Sequence, residues 1–557
     1  MSDREHALLR RNCDTLAAAG APELALAVRR ATPAPEVRVG TARDGSPVPV
    51  VSGGDREIWL HSRYSPEREA ERACDAVAGG ETVVALSLAG GYHLHALIDR
   101  RHCMPIIVLP EAPETLAVTL RQIDLSRLAG ASGVRVIDGS AADRVLPAIA
   151  SGFVPLFCTG LSLLAPAGVS RAFPRLHATA TATISRAREI IADDVTAQRR
   201  FGLLWMRNIV LNLPVACATP PPPRFSPKVI VAGAGPGLER WLAQRDHDGN
   251  QGADIIATDT AWPALRRSGY EVRFAVSVDP SPYTYQHLLC GGCSGTWLLD
   301  VGAAPVLWRS ASAVRAVRNR HPLVSLFESE LAHLTTVIRG GDVTEVAVEI
   351  AASNGATGIV LQGTDYGYPA AQTYARGTYV STLFESSATR LNPIESLHLR
   401  LAFRSNQAHR DESGVIRTPG LSRSYDRMRS IASRLAPEVS VIFPEQPENR
   451  DEPSTYDGST AYEEERVERE GRESSKHRCL ERIAEVRRQM LDLRVPDPPP
   501  TAEEYWASLN RSDNELVAAL VPAALATKAP SWHIALQQAR TRFVEVASIV
   551  LQRGKSW

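Results

Sequence analysis

The sequence predicts an α/β protein with two doubly wound, Rossmann-like domains and a C-terminal helical domain. A chain of 557 residues is too long for one hydrophobic core, so several domains are expected. Apolar runs alternate with helical patterns in two separate stretches, which is typical of parallel sheets with crossover helices. A helical segment and the proline run "PPPPR" at 220–224 separate these two stretches.

Changes in composition place the domain boundaries. Residues 449–477 are polar and charged and lack apolar content, which predicts a flexible linker. The predicted regions are an N-terminal α/β domain at 1–165, a helical connector with a proline-rich linker at 166–223, a central α/β domain at 224–448, the charged linker at 449–477 and a C-terminal helical region at 478–557. The strand candidates of the central domain are "KVIVAGAG", "DIIATDT", "RFAVSVDP", "TWLLDV", "APVLW" and "TGIVLQGTDYG".

The overall charge and hydropathy exclude several classes of protein. Lys and Arg together number 62, and so do Asp and Glu, whereas a nucleic-acid-binding protein needs a basic excess. No apolar run is long enough to span a bilayer, and the polar N-terminus does not resemble a secretory signal, so a cytoplasmic location is expected. Cys290 and Cys293 form a lone C-x-x-C without a second ligand pair, so no metal site is predicted.

The stretch "VIVAGAGPGLERWL", residues 229–242, has the pattern of a phosphate-binding turn. An apolar strand runs into Gly233, Gly235, Pro236 and Gly237, and a helix is predicted to follow. Small residues let the backbone approach a nucleotide, with the amides pointing outward at the positive end of the helix. The same pattern is equally consistent with a close-packed corner between a strand and a helix.

Three acids follow predicted strands of the central domain. They are Asp259 in "TDTAW", Asp279 in "VDPSP" and Asp365 in "QGTDYGYP". Because ligands of open α/β sheets bind beyond the carboxyl ends of the strands, these acids are candidate site residues. Pro280 ends its strand and exposes the Asp279 carboxylate at this edge. A helix N-cap or an Asp-Pro turn is the alternative role for such an acid.

The loop "DYGYPAAQTYARGTYVS", residues 365–381, is rich in glycine and tyrosine. Tyr366, Tyr368 and Tyr374 have rings suited to stacking on a base or a sugar, and Arg376 is suited to a phosphate or a carboxylate. The alternative is an ordered loop with partly exposed aromatic residues.

The N-terminal domain offers a rival site. "VVALSLAGGYHL" is followed, twenty residues after Gly91, by Glu111. An acid at this distance from a glycine turn is typical of a nucleoside-binding domain, in which the carboxylate binds the ribose. An S-adenosylmethionine methyltransferase has this layout, although the turn lacks the usual three glycines.

Several motifs in a fixed order resemble those of the motility-associated factor (Maf) proteins, which are bacterial flagellin glycosyltransferases. The motifs are "LHSRYSPEREAERA" (60–73), "LAGGYHLHAL" (88–97), "FGLLWMRNIVLNL" (201–213), "VAGAGPGL" (231–238), "VSVDPSP" (276–282), "RGGDVTEVAVEIAASNGATGIVLQGTDYGYP" (339–369) and "TYARGTYV" (373–380). Residues 225–400 also resemble the archaeal 6-hydroxymethylpterin diphosphokinase (MptE-like) domain.

This resemblance implies a sialyltransferase-like central sheet and transfer of a nonulosonic acid from a CMP-activated donor to Ser or Thr of flagellin. It implies that Asp279 and the turn from Gly233 to Leu238 handle the nucleotide. Asp259 is a further candidate for nucleotide binding. Asp365 and the loop from Tyr374 to Gly377 would face the sugar and the acceptor. The expected partners are therefore a nucleotide-activated sugar and flagellin, with no cofactor. The resulting candidate residues are Asp279, Asp365 and Tyr374 for catalysis and Tyr366, Arg376 and Gly377 for substrate binding.

The sequence departs from the family pattern at two positions. Gly237 stands where the family's turn has a serine, which removes a hydroxyl donor. Tyr374 stands where the family's loop has a histidine, and a tyrosine with a pKa near 10 is a poor base and a passable acid.

Two other functions stay open. A diphosphokinase would bind ATP and use Asp279 and Asp365 as Mg²⁺ ligands. A non-catalytic flagellin-binding scaffold on the same core would bind no nucleotide. The N-terminal domain and the helical tail favour the glycosyltransferase, because a small pterin substrate does not require them.

Overall fold

The computed structural model describes residues 3–53, 56–100, 105–129, 131, 133–138, 142–244, 252–337, 341–443, 469–497 and 499–554. The chain forms two compact units. Unit 1 comprises Met1–Gly202 and Arg494–Ala539, and unit 2 comprises Leu203–Leu493 and Arg540–Trp557. Residues of the predicted C-terminal region thus occur in both units.

Unit 1 contains seven strands and the first eight helices of the chain among its described residues. The strands are β1 (Val37–Thr41), β2 (Pro47–Gly53), β3 (Arg56–Trp59), β4 (Glu81–Leu86), β5 (Ile106–Leu109), β6 (Val134–Val136) and β7 (Gly160–Leu164). The helices are α1 (Asp3–Ala18), α2 (Pro22–Arg30), α3 (Pro66–Cys74), α4 (Tyr92–Asp99), α5 (Pro113–Thr119), α6 (Ala142–Gly152), α7 (Ala167–Ala172) and α8 (Pro174–Ala216), the last of which continues past Gly202 into unit 2.

The main sheet of unit 1 is parallel and has the order β6-β5-β4-β7. Strand β4 is apolar on both faces: Val83 and Ala85 join one core cluster, and Val84 and Leu86 join another. Burial on both faces is what a parallel sheet covered by crossover helices requires. A separate antiparallel sheet, β1-β2-β3, was not predicted from the sequence.

Unit 2 contains the remaining strands and ten helices that begin between residues 237 and 469. The strands are β8 (Lys228–Ala232), β9 (Asp254–Thr258), β10 (Phe274–Ser277), β11 (Thr296–Asp300), β12 (Ala313–Val317), β13 (Gly358–Gln362), β14 (His409–Arg410), β15 (Ile416–Arg417) and β16 (Ser440–Ile442). The helices are α9 (Gly237–Ala243), α10 (Trp262–Arg267), α11 (Tyr285–Gly291), α12 (Pro305–Ser310), α13 (Pro322–Ser325), α14 (Val343–Ser353), α15 (Tyr379–Ser387), α16 (Ile394–Ala402), α17 (Pro419–Leu435) and α18 (Arg469–Asp492).

The sheet of unit 2 has seven parallel strands in the order β12-β11-β10-β9-β8-β13-β16. The chain adds β9 to β12 on one side of β8 and then returns to place β13 on the other side. The strand order therefore reverses between β8 and β13, and such a switch point leaves a crevice at the carboxyl ends of the two strands. The predicted α/β class with parallel, Rossmann-like sheets is confirmed.

One predicted strand of the central domain is wrong. "APVLW" lies in α12, because Pro305 occupies the first turn of a helix, where its missing N–H needs no partner. The edge strand in this region is β12, eight residues further along the chain. Its burial pattern is weaker than that of its neighbours, which is why its sequence lacks a clear apolar run.

The C-terminal part of the chain is helical, as expected. It contains α19 (Ala502–Ser508), α20 (Arg511–Ala526) and α21 (Trp532–Gly554). Within unit 1, the rings of Tyr505 and Trp532 stack at 4.8 Å, and Trp506 stacks on Phe157 at 4.9 Å. Of the predicted charged linker, residues 449–468 lie outside the described residues, and residues 469–477 belong to α18. Across the described residues, no helix combines the length and the hydropathy that a membrane crossing demands.

Candidate functional site at the switch point of unit 2

The glycine turn after β8 packs directly on the loop after β13. The Gly233 amide donates to the Gln362 carbonyl at 2.7 Å, and the Gly235 amide donates to the Gly363 carbonyl at 2.8 Å. These hydrogen bonds extend the pairing of β8 with β13 beyond the ends of both strands. The turn predicted to bind a nucleotide therefore lies at the switch point of the sheet.

The Asp365 carboxylate accepts hydrogen bonds at the N-terminus of α9. The Gly237 amide donates to both oxygens of its carboxylate, at 3.0 Å and 2.8 Å, and the Arg240 guanidinium donates at 3.2 Å. The expectation that the amides of the turn point outward is wrong at Gly233, Gly235 and Gly237. Each of these amides donates within the protein, because the loop after β13 supplies acceptors at the positive end of the helix.

The close packing explains why the turn needs glycine. A Cβ atom on Gly235 would lie 2.3 Å from Asp365 Oδ2 and 2.9 Å from the Gly363 carbonyl oxygen. The Asp365 side chain can rotate, but the backbone carbonyl cannot withdraw without breaking the hydrogen bond from the Gly235 amide. The close-packed corner offered as an alternative from the sequence is thus present in the structure, and nucleotide binding by the turn stays a prediction.

The loop around Arg376 is fixed to the same turn. The Ala375 amide donates to the Ala234 carbonyl at 2.9 Å. Glu239, in the first turn of α9, accepts the Arg376 amide at 2.6 Å and its guanidinium at 3.0 Å. It also accepts the Gln372 side chain at 2.5 Å. Arg376 is thus bound to a carboxylate of the protein while its side chain is 78% exposed.

Glu239 is a residue of this site that the sequence reasoning missed. Burial acts to raise the pKa of its carboxyl, but the hydrogen bonds from Arg376 and Gln372 prevail and lower it. The carboxylate therefore stays ionised and holds the loop. In the sequence, Glu239 is recognisable only as an acid in the first turn of a predicted helix. Acids at this position often do no more than stabilise the helix dipole.

Tyr374 and Asp259 lie close enough to interact. Burial raises the pKa of the Tyr374 hydroxyl, and the nearby Asp259 charge raises it further. Asp259 itself is buried and accepts the Thr260 amide and the Ser277 hydroxyl, each at 2.7 Å. The tyrosine is therefore protonated at neutral pH, which suits a hydrogen-bond donor or an acid and excludes a base.

Asp279 follows β10 and lies two strands away from β8. Neighbouring strands are about 4.8 Å apart, so the two strand ends are separated by roughly 10 Å. The Asp279 carboxylate is exposed and accepts the Ser281 amide at 2.7 Å. This hydrogen bond is that of an Asp-Pro turn, the alternative role that the sequence left open. Asp279 therefore lies at the same carboxyl edge of the sheet as the glycine turn.

Tyr366 and Gly377 occupy packed positions. The Tyr366 ring meets Tyr425 edge-on at 5.4 Å and joins the core of unit 2, and burial raises the pKa of its hydroxyl. Gly377 has a φ of 85°, and a Cβ there would lie 3.2 Å from Ala264 Cα. Stacking of Tyr366 on a ligand and substrate contact by Gly377 stay predictions, but their surroundings give both residues a packing role.

A second polar cluster, which the sequence reasoning missed, follows β11. Asp300 is buried and accepts the Gly302 amide at 2.6 Å and the Asn319 side chain at 2.8 Å. Burial raises the pKa of its carboxyl to about 7, although both donors act to lower it. Asn208 donates to the Pro280 carbonyl at 2.9 Å and so joins this cluster to the turn that carries Asp279.

His321 completes that cluster with an unsatisfied nitrogen. Its Nδ1 accepts the Leu323 amide at 3.1 Å, so the ring is neutral with its proton on Nε2, and burial lowers its pKa to about 4. Neither His321 Nε2 nor the Asn208 side-chain oxygen has a hydrogen-bond partner within the described part of the chain. A donor and an acceptor are thus left without a partner in the cluster of Asp300, to which His321 is linked through Asn319.

Metal ligands do not converge in the described ranges, where no group of three or more His, Cys, Asp or Glu side chains is placed to hold an ion. Asp279 and Asp365, the acids that a diphosphokinase would use as Mg²⁺ ligands, have different surroundings. Asp365 is bound to Gly237 and Arg240, whereas Asp279 is exposed at the sheet edge.

Comparison with known proteins agrees with this arrangement. Residues 209–371 match the family described as 6-hydroxymethylpterin diphosphokinase MptE-like, a range that includes β8 to β13. The Maf glycosyltransferase from Magnetospirillum magneticum AMB-1 superposes with a TM-score of 0.53 at 14% sequence identity, over 99% of this chain and 96% of that chain.

The chain has the Maf glycosyltransferase fold. The resemblance to that family and to the MptE-like domain, inferred from the sequence motifs, is thereby confirmed at the level of fold.

Two uncharacterized proteins of Treponema pallidum (strain Nichols) are also similar to parts of the chain. One is 37% identical over 117 residues, covering 20% of this chain and 55% of the relative. The other is 31% identical over 136 residues, covering 23% of this chain and 48% of the relative. The chain thus spans about half the length of these curated relatives.

Proposed function

We propose that this protein is a glycosyltransferase whose nucleotide-activated donor binds at the switch point of the unit 2 sheet. The observation that carries the proposal is the junction of the β8 turn with the β13 loop at the carboxyl edge of the sheet. Open α/β sheets bind their ligands at this position. The shared fold with a protein described as a glycosyltransferase supports the same reaction class.

For the substrates, we propose a CMP-activated nonulosonic acid as donor and Ser or Thr of flagellin as acceptor. In this reaction the acceptor hydroxyl oxygen forms a bond to the anomeric carbon of the sugar. The bond from that carbon to the CMP phosphate oxygen breaks, and CMP leaves with the bonding electrons. A base must take the acceptor proton, and a donor must stabilise the departing phosphate.

The exposed carboxylate of Asp279 is our candidate for the base, because it is accessible at the sheet edge. Tyr374 is our candidate for the donor to the phosphate, since burial and the neighbouring Asp259 keep its hydroxyl protonated. Arg376 would contribute its exposed guanidinium to the same phosphate while its backbone amide stays bound to Glu239.

A titration with nucleotides tests the donor class. The full chain is titrated with CMP, with and without EDTA, and separately with ATP and Mg²⁺. CMP binding that EDTA leaves unchanged supports the glycosyltransferase. The MptE-like match favours the diphosphokinase as second candidate, and Mg²⁺-dependent ATP binding without CMP binding would establish it instead. A chain that binds neither nucleotide would be a scaffold.

An Asp279→Asn variant tests the base. The side-chain amide oxygen of this variant can still accept the Ser281 amide, so the fold should persist while transfer falls at least 100-fold. Asp44→Asn is the matched control, because Asp44 in unit 1 accepts the Ser46 amide at 3.0 Å in the same turn geometry. Equal turnover in the two variants would remove Asp279 from the mechanism.

A further inference from the structure

The turn after β4 in unit 1 has an unusual backbone. Ser87, Ala89, Gly90 and Gly91 have φ angles of 66°, 39°, 89° and 82°, all in the left-handed region. Only the two glycines adopt this conformation without steric cost, so the turn holds strain at Ser87 and Ala89. Such strain persists only where the surrounding structure fixes it, and it concentrates at ligand sites.

The turn lies at the switch point of its own sheet. In the order β6-β5-β4-β7, the chain places β5 and β6 on one side of β4 and then β7 on the other. The first strand of the sheet is therefore followed by a glycine turn that leads into α4, with the second strand alongside. This is the arrangement of strands in which nucleoside-binding α/β domains hold their ligand.

Glu111 connects the second strand to this turn. It lies two residues beyond β5 and is only 4% exposed. One carboxylate oxygen, Oε2, accepts the Leu88 amide at 2.8 Å. The other oxygen, Oε1, is buried without a hydrogen-bond partner among the described residues, and so is the Ser87 hydroxyl. Buried polar atoms are nearly always paired, so both atoms indicate a missing partner.

Histidines fix the start of the following helix beside the turn. His61 lies between Glu69, at 2.9 Å from its Nδ1, and His93 of α4, at 3.3 Å from its Nε2. The Ser62 amide also donates to Glu69 at 2.7 Å, so the carboxylate is held by two groups. The turn thus has a support on the α4 side. His93 Nε2, like Glu111 Oε1 and the Ser87 hydroxyl, is buried without a partner among the described residues.

We propose that unit 1 carries a separate ribonucleoside site at the Ser87–Gly91 turn. The ribose 2′- and 3′-hydroxyls donate to Glu111, and Oε1 is the buried acceptor that the described residues leave without a partner. The Leu88 amide keeps Oε2 in place and thereby orients the carboxylate. The ligand class is a ribonucleoside, in free form or as part of a larger molecule such as S-adenosylmethionine or a dinucleotide.

The test is calorimetric titration of the full chain with adenosine, S-adenosylhomocysteine and NAD⁺. We expect at least one of these to bind, and the strongest of the three identifies the source of the nucleoside. Binding of 2′,3′-dideoxyadenosine should be at least 10-fold weaker than binding of adenosine, because it lacks both hydroxyls. Binding of none of the three probes, or equal binding of the dideoxy compound, would overturn the proposal.

A variant assigns any binding to Glu111. Glu111→Gln should weaken the nucleoside at least 10-fold, whereas the control Glu114→Gln changes an exposed acid three residues away and should have no effect. Unchanged affinity in Glu111→Gln would place the nucleoside elsewhere and refute the site. Because CMP also carries a ribose diol, the same variant is titrated with CMP. Retained CMP affinity leaves the unit 2 proposal intact, and lost CMP affinity moves CMP to unit 1.

Discussion

The two sheets of this protein each place a glycine turn at their switch point, but they treat the turn differently. In unit 2, the amides of Gly233, Gly235 and Gly237 donate to the end of β13 and the loop after it, and Asp365 receives two donors. In unit 1, the turn is left-handed, and Glu111 keeps one oxygen unpartnered among the described residues. A glycine turn after a strand therefore does not by itself indicate a vacant anion site.

The difference arises from the neighbouring strand's loop. After β13, Gly363 has a φ of 65°, and that loop returns to the turn with its carbonyl and carboxylate. At the end of β5, the Leu109 carbonyl accepts the Ser87 amide at 2.8 Å, and Glu111 Oε2 accepts the Leu88 amide. Glu111 Oε1 has no partner among the described residues. In the first arrangement the turn amides are already bound within the protein, so side chains beside the turn must hold the proposed donor. In the second, one carboxylate oxygen is left for a ligand.

The largest expected effect is that of Gly235→Val. The new Cβ would collide with the Gly363 carbonyl, and we expect the free energy of unfolding of unit 2 to fall by roughly 3 kcal/mol. Thermal melting measures the loss. The control is Gly420→Ala, where the nearest atom to the added Cβ, apart from those of its chain neighbours, is 3.9 Å away. Similar stability of the two variants would mean that the unit 2 turn is open, like a ligand site.

A second effect concerns the dependence of stability on pH. Asp300 has its folded pKa raised by burial to about 7, from an ordinary value of 3.8. Between these values the unfolded chain releases the proton and the folded chain keeps it. The free energy of unfolding should thus fall by on the order of a few kcal/mol as pH rises from 4 to 7. Asp300→Asn should flatten this part of the profile, measured by urea unfolding, and an unchanged slope would assign it to another group.

The third prediction compares the same chemical change at both switch points. Asp365→Asn should lower the free energy of unfolding by about 1 to 2 kcal/mol, because a charged acceptor at the start of α9 is lost. Glu111→Gln should leave it nearly unchanged without ligand, since the side-chain amide oxygen still accepts the Leu88 amide. Equal losses would show that both acids serve only packing.

The smallest expected effect on stability is that of Arg376→Ala. Its ion pair with the part-buried Glu239 should contribute about 0.5 kcal/mol because the guanidinium is exposed, and the backbone hydrogen bond to Glu239 is retained. The control Arg511→Ala removes the more exposed ion pair with Glu515. Both variants should melt alike, whereas CMP affinity should fall only in Arg376→Ala. If both variants bind CMP as tightly as the unchanged chain, Arg376 contacts Glu239 but does not bind the nucleotide.

The sequence was a sound guide where local patterns decide structure. Apolar runs located β8, β9, β10 and β13, and the glycines after β8 indicated the turn. It failed at α12, where Pro305 started a helix inside an apolar run, and at β12, which lacks such a run. Asp300 was missed although it ends the predicted strand "TWLLDV" and so carried the strand-end signal. His321 could not be recognised, because nothing in its immediate sequence shows burial or a partner, and Glu239 had only its position in the first turn of a helix.

By itself, the sequence determined the α/β class, the family resemblance and the position of each glycine turn in its strand–helix unit. These follow from hydrophobic periodicity and from residue types that act over a few positions. Only the tertiary structure decided which acceptors the amides of each turn meet. The Gly237 amide meets Asp365 from 128 residues away, and such a contact depends on the order of strands in the sheet. Burial, which sets the pKa of Asp300, is likewise a property of the packed core.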